Sequence, residues 1–399
     1  MKIAQVRATP VAAPTTRKCA WSQASGTGTT RTIVQITTDT GLTGLGETMG
    51  AAASVAINER FGPLIVGVPV HERFTILRAC LPTSLDYGTP SHAVDLMYYA
   101  AIEMAVWDLI GKHARLPLYR ILGGAVRERA PFVSYAYAVD LSDGYTVDDV
   151  PRVTAEIARK GVRDAGAWFF EFKVARHPVD CDIATVHAVR EALGPDIEIG
   201  VDANMGYGTD DARRFLRSVA SARLANIEEP VDNLAGLERL RRDFGVPVST
   251  HCTDFDALRA YPLIDSVVGA VDCQGGIART MSLAAIARSH DRRYWLRSCN
   301  EVGIAWAAMV HLGMACAELD RPAQALINWI EDDLILGEPW LVRHGGVRPP
   351  DKPGLGVELD QDAFEHYAAM HLATGEINYY DEAKAPPVEA TSHRVVASA

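Results

Sequence analysis

The chain has 399 residues, 48% of them apolar and 22% charged, which supplies a large core and more than one domain and excludes a disordered or fibrous chain. Its 39 basic residues stand against 50 acidic ones, a net charge of −11 that opposes phosphate backbones and anionic lipid, so neither nucleic acid nor a membrane is an expected partner. No run approaches the roughly 18 apolar residues of a membrane span, and residues 1–10 lack the pattern of a secretory signal, so a cytoplasmic protein is expected.

In chain order, residues 2–9 alternate as a strand. A Gly/Ser/Thr-rich stretch at 22–30 reads as an interruption, and 31–38 alternates again before the Asp39-Thr-Gly turn. Residues 93–112 carry Met97, Ala101, Met104, Ala105 and Leu109 at helical spacing, with Gly111 read as the stop. From residue 131 onward, short apolar runs alternate with amphipathic stretches, the pattern of parallel buried strands joined by helices. Eight strands are expected, at 131–138, 169–174, 197–202, 224–229, 246–251, 266–272, 294–298 and 325–331. They predict an α/β protein built on a (β/α)8 barrel, with an open α/β sheet as the other arrangement, because no Gly-rich phosphate turn follows the first strand. The seven cysteines are scattered without a CxxC pair and read as reduced thiols.

Barrel chemistry gathers where strands end. The residues closing the predicted strands are Glu171 and Lys173, Asp202 with Asn204, Glu228 with Glu229, His251, Asp272, Arg297 and Ser298, and Glu331. Asp202 and Glu228 on adjacent strands point two hard oxygen ligands at one spot, which suits Mg²⁺. His251 is the nearest third ligand, ahead of Asp254 and Cys252. An imidazole there shifts preference toward Mn²⁺ or another divalent cation. His177, His187, His290 and His311 are isolated and read as structural.

In order and spacing, several segments together resemble the enolase superfamily, within it the mandelate racemase and muconate-lactonizing group. They are Val34 to Glu47, Ala101 to Lys112, Leu116 to Gly124, Val201-Asp-Ala-Asn204, Ile227-Glu-Glu-Pro230, Gln274-Gly-Gly276 and Lys352 to Asp360. The resemblance implies a modified TIM barrel under an α+β capping domain built from the N-terminal region and the C-terminal tail. Residues 1–128 would form the cap, 129–335 the barrel, and 336–399 the segment returning to the cap. It also implies abstraction of a proton α to a carboxylate, with a metal stabilising the charge that develops. On this pattern Asp202 and Glu228 fall on metal-ligand positions, Lys173 on the second lysine of a Lys-x-Lys pair, Asn204 near the metal, and Glu331 on a strand-eight acid that binds a substrate carboxylate.

Departures from the pattern narrow the chemistry. Glu171 replaces the first lysine, Ala270 stands where the sixth-strand Asp or Lys is customary with Asp272 two residues later, and Arg297, Ser298 or Cys299 replaces the seventh-strand His. A two-base racemase is therefore disfavoured. The C-terminal portion is most similar to the glucarate-dehydratase and acid-sugar-dehydratase branches, and that resemblance implies dehydration of a hydroxy or sugar acid, a small carboxylate, with Lys173 as base. Asp272, Arg297, Cys299 or Glu301 would assist the departing hydroxyl, and Glu171 or Glu331 would donate in an epimerase or cycloisomerase. A catalytically silent paralogue is the reading outside enzymes. Trp21 and Met49 are candidate lid contacts with substrate, and a homo-oligomer is expected.

Overall fold

The structure is a computed structural model that describes residues 1–81 and 91–377, side chains of 91–93 excepted. Three antiparallel strands open it in the order β1-β2-β3: β1 (Ile3–Ala20), β2 (Ser25–Thr38) and β3 (Thr43–Met49). The interruption expected at 22–30 is a correction. Only a tight turn separates the strands, with Trp21 N donating to Ala24 O, and Ala20 already faces Ser25 and Ala13 faces Thr29 across the ladder. Thr29, Thr30 and Thr32 are buried, and β-branched threonines pack well on a pleated surface, which outweighs the local turn propensity of the glycines.

Helix α1 (Ser91–Ala114) lies on β3. Gly46 permits the approach, since a Cβ there would stand 1.9 Å from Ala101 O. The stop expected at Gly111 is also corrected. The helix runs on to Ala114, and Gly111 is small because the backbone of Gly354 passes where a side chain would be.

Seven parallel strands follow: β4 (Ser134–Ala136), β5 (Phe169–Lys173), β6 (Glu198–Asp202), β7 (Asn226–Glu228), β8 (Val248–Thr250), β9 (Ser266–Gly269) and β10 (Arg293–Leu296). They are hydrogen-bonded in sequence order. Helices α2 (Val150–Ala165), α3 (Val179–Leu193), α4 (Thr209–Ser218), α5 (Leu234–Phe244), α6 (Ile277–Ser289) and α7 (Gly303–Ala315) alternate with them, β8 being followed by the four-residue helix Phe255–Leu258. The eighth strand is not at 325–331, where a 3₁₀ turn, Ile327–Trp329, forms instead. The seam is closed earlier. Leu319 bridges Tyr294, Ala323 bridges Phe132, Gln324 N donates to Leu296 O and Ala323 N to Pro131 O. The residue at the end of this closing segment is Gln324.

Alternation along β5 sends Phe170 and Phe172 into the main core, whereas Phe169 packs inside with Val133, Tyr135 and Tyr137. Glu171 and Lys173 share the inner face with Phe169 by the two-residue period. Gly200 makes room for them, because a Cβ there would stand 3.3 Å from Glu171 Cγ. The register sets Lys173 beside Asp202 and Asp202 beside Glu228, one row across three strands. Just beyond the strands the chain turns on non-glycine residues with left-handed backbone: Ala175, Asn204, Met205, Glu229 and Asn300. Each conformation costs about 1 kcal/mol or more, a strain that concentrates at functional sites.

Helix α8 (Gln361–Thr374) packs on β1, and beyond it Ile377 N donates to Thr30 Oγ1 and Ala51 N to Glu376 Oε1. Residues 378–399 of the expected returning segment lie outside the described residues.

Candidate active site at the barrel mouth

At the C-terminal end of the barrel three buried carboxylates meet one ammonium. Lys173 Nζ donates to Asp202 Oδ2 at 2.5 Å, and that oxygen also accepts from Tyr135 OH at 3.4 Å. Asp202 Oδ1 accepts from Asn204 N at 2.9 Å. Glu228 Oε1 lies 2.7 Å from His251 Nε2. Gln324 Nε2 donates to Glu171 Oε1 at 2.6 Å and to Glu228 Oε2 at 3.1 Å, while its Oε1 accepts from Ser298 N at 3.3 Å. That backbone donor fixes which way the amide points, so its two N–H groups face the acids.

Burial pushes the proton affinity of Glu171 well up, and the charges of Glu228 and Asp202 add to it. Glu228 is raised by burial and then by Asp202. The Tyr135 hydroxyl is held neutral by burial and the same three acids. Like charges this close disfavour one another's ionisation, so a further positive charge is what the cluster lacks.

A second network ties the cap to the barrel. Arg31, fully buried on β2, donates from Nε to Glu47 Oε1 at 2.7 Å, from Nη2 to Asp272 Oδ2 at 2.5 Å and from Nη1 to the carbonyl of Cys299 at 3.3 Å. Glu47 in turn accepts from Val302 N and Ala305 N at the start of α7. Asp272 therefore serves Arg31 rather than Lys173. Ser298 Oγ donates to Glu301 Oε2 and accepts from Leu326 N, which engages both side chains within the wall.

Arg297 reaches the same region differently. Its charged form is favoured first by Cys299 and then by Cys273, Asp272 and Glu228, and its shielded Nε finds no acceptor among the described residues. The cap tip leans over the mouth, with Ser22 Oγ and Gln23 Nε2 donating to Asn204 O, and Trp21 packing on the inner cluster of Tyr135 and Tyr137. Met49 Sδ lies 3.3 Å from Cys273 Sγ.

The structure thus brings Lys173, Glu171, Asp202, Glu228 and His251 together, with Asn204, Arg297 and Trp21 at the margin. Glu331 is not among them. It is exposed on an outer cleft shared with Lys160 and Arg343 because residues 327–329 coil before it. Tyr135 and Gln324 are the contributors that strand-end reading missed. Tyr135 lies within a predicted apolar strand, and Gln324 one residue before a misplaced one.

The donor set fits a divalent cation. Asp202 and Glu228 are neighbours in register, the acids outnumber the ammonium, and the buried Oδ1 of Asn204 has no hydrogen-bond partner among the described residues.

Comparison with known proteins agrees with this architecture. Residues 5–123 match the family model described as Mandelate racemase / muconate lactonizing enzyme, N-terminal domain, and residues 125–363 the model described as Enolase C-terminal domain-like. The chain is 26% identical to a protein of Streptomyces coelicolor named Probable glucarate dehydratase, over 85% of each chain. The crystal structure of an enolase from the same organism is 30% identical, covers 95% of this chain and 100% of that one, and superposes with a TM-score of 0.86. An enolase from Thermobispora bispora, solved in complex with magnesium and formate, is 25% identical with 96% of each chain covered and a TM-score of 0.85.

Proposed function

Because the chain belongs to the mandelate racemase and muconate lactonizing enzyme group of the enolase superfamily, we propose that it dehydrates a hydroxy or sugar acid, with Lys173 removing the proton α to the carboxylate. The single observation that carries this reading is the row Lys173, Asp202 and Glu228, in register across three adjacent strands at the barrel mouth. Asp202 and Glu228 would hold Mg²⁺, with His251 the nearest further donor; such a cation would supply positive charge opposite the substrate carboxylate.

The remaining residues act on the substrate and on one another. Tyr135 keeps its proton and directs it at Asp202. Gln324 spaces Glu171 from Glu228 with one amide, and so holds the acids apart while the mouth is filled. Arg297 offers a guanidinium with an unanswered donor to the anionic oxygens of the acid. The cap tip around Trp21 and Gln23 limits water over the reacting carbon.

The experiment is solvent-deuterium exchange at the α-carbon over a panel of hydroxy and sugar acids with Mg²⁺ or Mn²⁺, read by NMR together with formation of a keto-deoxy acid. Exchange with loss of water is expected. Exchange with inversion and no dehydration replaces the lyase reading with an epimerase. Absence of exchange on every acid and metal gives the silent paralogue.

A further inference from the structure

Beside the acid cluster lies a group of different chemistry, where the cap meets the ends of β9 and β10. One carboxylate oxygen of Asp272, the Cys273 sulfur and the Cys299 sulfur all lie within 4.8 Å of one another. Cys273 Sγ is 3.3 Å from Asp272 Oδ1, 3.3 Å from Met49 Sδ and in hydrogen-bond contact with Cys299. Four donors thus converge from three separate segments: two thiols, a thioether and a carboxylate.

Packing alone does not account for this set. The backbone at two of the donors is already committed: Cys299 N donates to Glu301 Oε1, Cys299 O accepts from Arg31, and Thr48 Oγ1 donates to Asp272 O. The chain therefore presents the side chains from a rigid frame, which is what ligand geometry requires. Arg31 occupies Asp272 Oδ2 and leaves Oδ1 toward the sulfurs. Arg297 faces both cysteines.

We propose that Cys273, Cys299 and Asp272, with Met49 as a weak fourth donor, form a site for a thiophilic dication of the zinc class, separate from the oxygen-donor site of Asp202 and Glu228. Thiolate and thioether ligands select soft and borderline metals, whereas Mg²⁺ takes oxygen. Binding releases two thiol protons. Two thiolates and a carboxylate then carry three negative charges, which the dication and Arg297 offset. The bound ion joins Met49 at the end of β3 to the ends of two barrel strands, and so fastens the cap beside the mouth. This inference does not depend on the proton-transfer reading.

The probe is Co²⁺ added to the reduced, chelator-treated full chain. A thiolate-to-cobalt charge-transfer band in the near ultraviolet is expected, saturating at one equivalent and displaced by Zn²⁺ but not by excess Mg²⁺. Cys273→Ser and Cys299→Ser should each abolish most of the band, Met49→Leu should keep it with about tenfold weaker affinity, and Asp202→Asn should leave it in place. X-ray absorption of the zinc-loaded native chain, which needs no variant to fold, should find sulfur at about 2.3 Å. Absence of the band, its survival in the Cys273→Ser/Cys299→Ser double variant, displacement by Mg²⁺, or a zinc shell of oxygen and nitrogen alone would overturn the proposal.

Discussion

Gln324 donates to Glu171 at 2.6 Å and, with the same amide nitrogen, to Glu228 at 3.1 Å. One neutral side chain on the segment that closes the barrel thus holds two carboxylates whose charges repel.

Gln324→Leu removes that shared donor and leaves Ser298 N without its side-chain acceptor. Unsatisfied buried groups cost about 1–3 kcal/mol each, so a loss of about 2 kcal/mol or more is expected in urea unfolding without metal. Saturating Mg²⁺ should recover more stability in this variant than in the native chain. A variant as stable as the native protein would show that the acids do not need the amide.

Lys173→Arg keeps the charge and the ion pair with Asp202 but holds its proton at any accessible pH. On a substrate found by the exchange panel, α-proton exchange should fall by roughly 10³-fold, in the range of a lost general base, with ligand binding changed little. Full exchange in the variant would place the base elsewhere.

Asp202→Ala and Glu228→Ala each remove one oxygen donor from the row while the backbone register that forms the sheet remains. Calorimetric titration with Mg²⁺ should show at least about a tenfold weaker affinity in each. Unchanged affinity in both would reject the assignment of these ligands.

His311 predicts a specific acid sensitivity. Its Nδ1 accepts from Tyr119 N and its Nε2 donates to Leu355 O, and burial lowers its pKa to about 4. The unfolded chain, at about 6.5, takes up a proton that the folded chain refuses, so the stability this group contributes is complete above pH 6.5 and is lost as pH falls toward 4. About 2 kcal/mol should be gone by pH 5. His311→Gln, compared at pH 7.5 and pH 5 by urea unfolding, should show a smaller drop than the native chain; an equal drop would assign the acid loss to other groups.

The barrel strands and the ligand row were legible because period-two alternation and parallel order are local properties: Asp202 and Glu228 end consecutive apolar runs, and the ladder makes them neighbours. The closing segment was not. It runs through Arg321-Pro322-Ala323 and, among the described residues, forms two isolated bridges, while the more apolar run after it coils into a 3₁₀ turn. Glu331 was misplaced, and Gln324 passed over, by the same displacement. Arg31 and Glu47 carried a signal that went unread, each being the one charged residue of its strand. What such a charge pairs with depends on contacts more than 200 residues away, as with Asp272.

Arg31 also bears on how far the two parts of the molecule could be exchanged. Its guanidinium belongs to the first hundred residues, yet two of the groups it satisfies, Asp272 and the Cys299 carbonyl, belong to the barrel, and its remaining partner Glu47 anchors the start of α7. Removing one member of such a buried pair costs about 3–5 kcal/mol, a large share of an ordinary domain's stability. Substituting another cap for this one would have to recreate this knot, whereas the hairpin tip at residues 21–24 meets the barrel through a few hydrogen bonds and the packing of Trp21. A redesign of the cap would therefore start at that tip and leave Arg31, Glu47 and Asp272 in place.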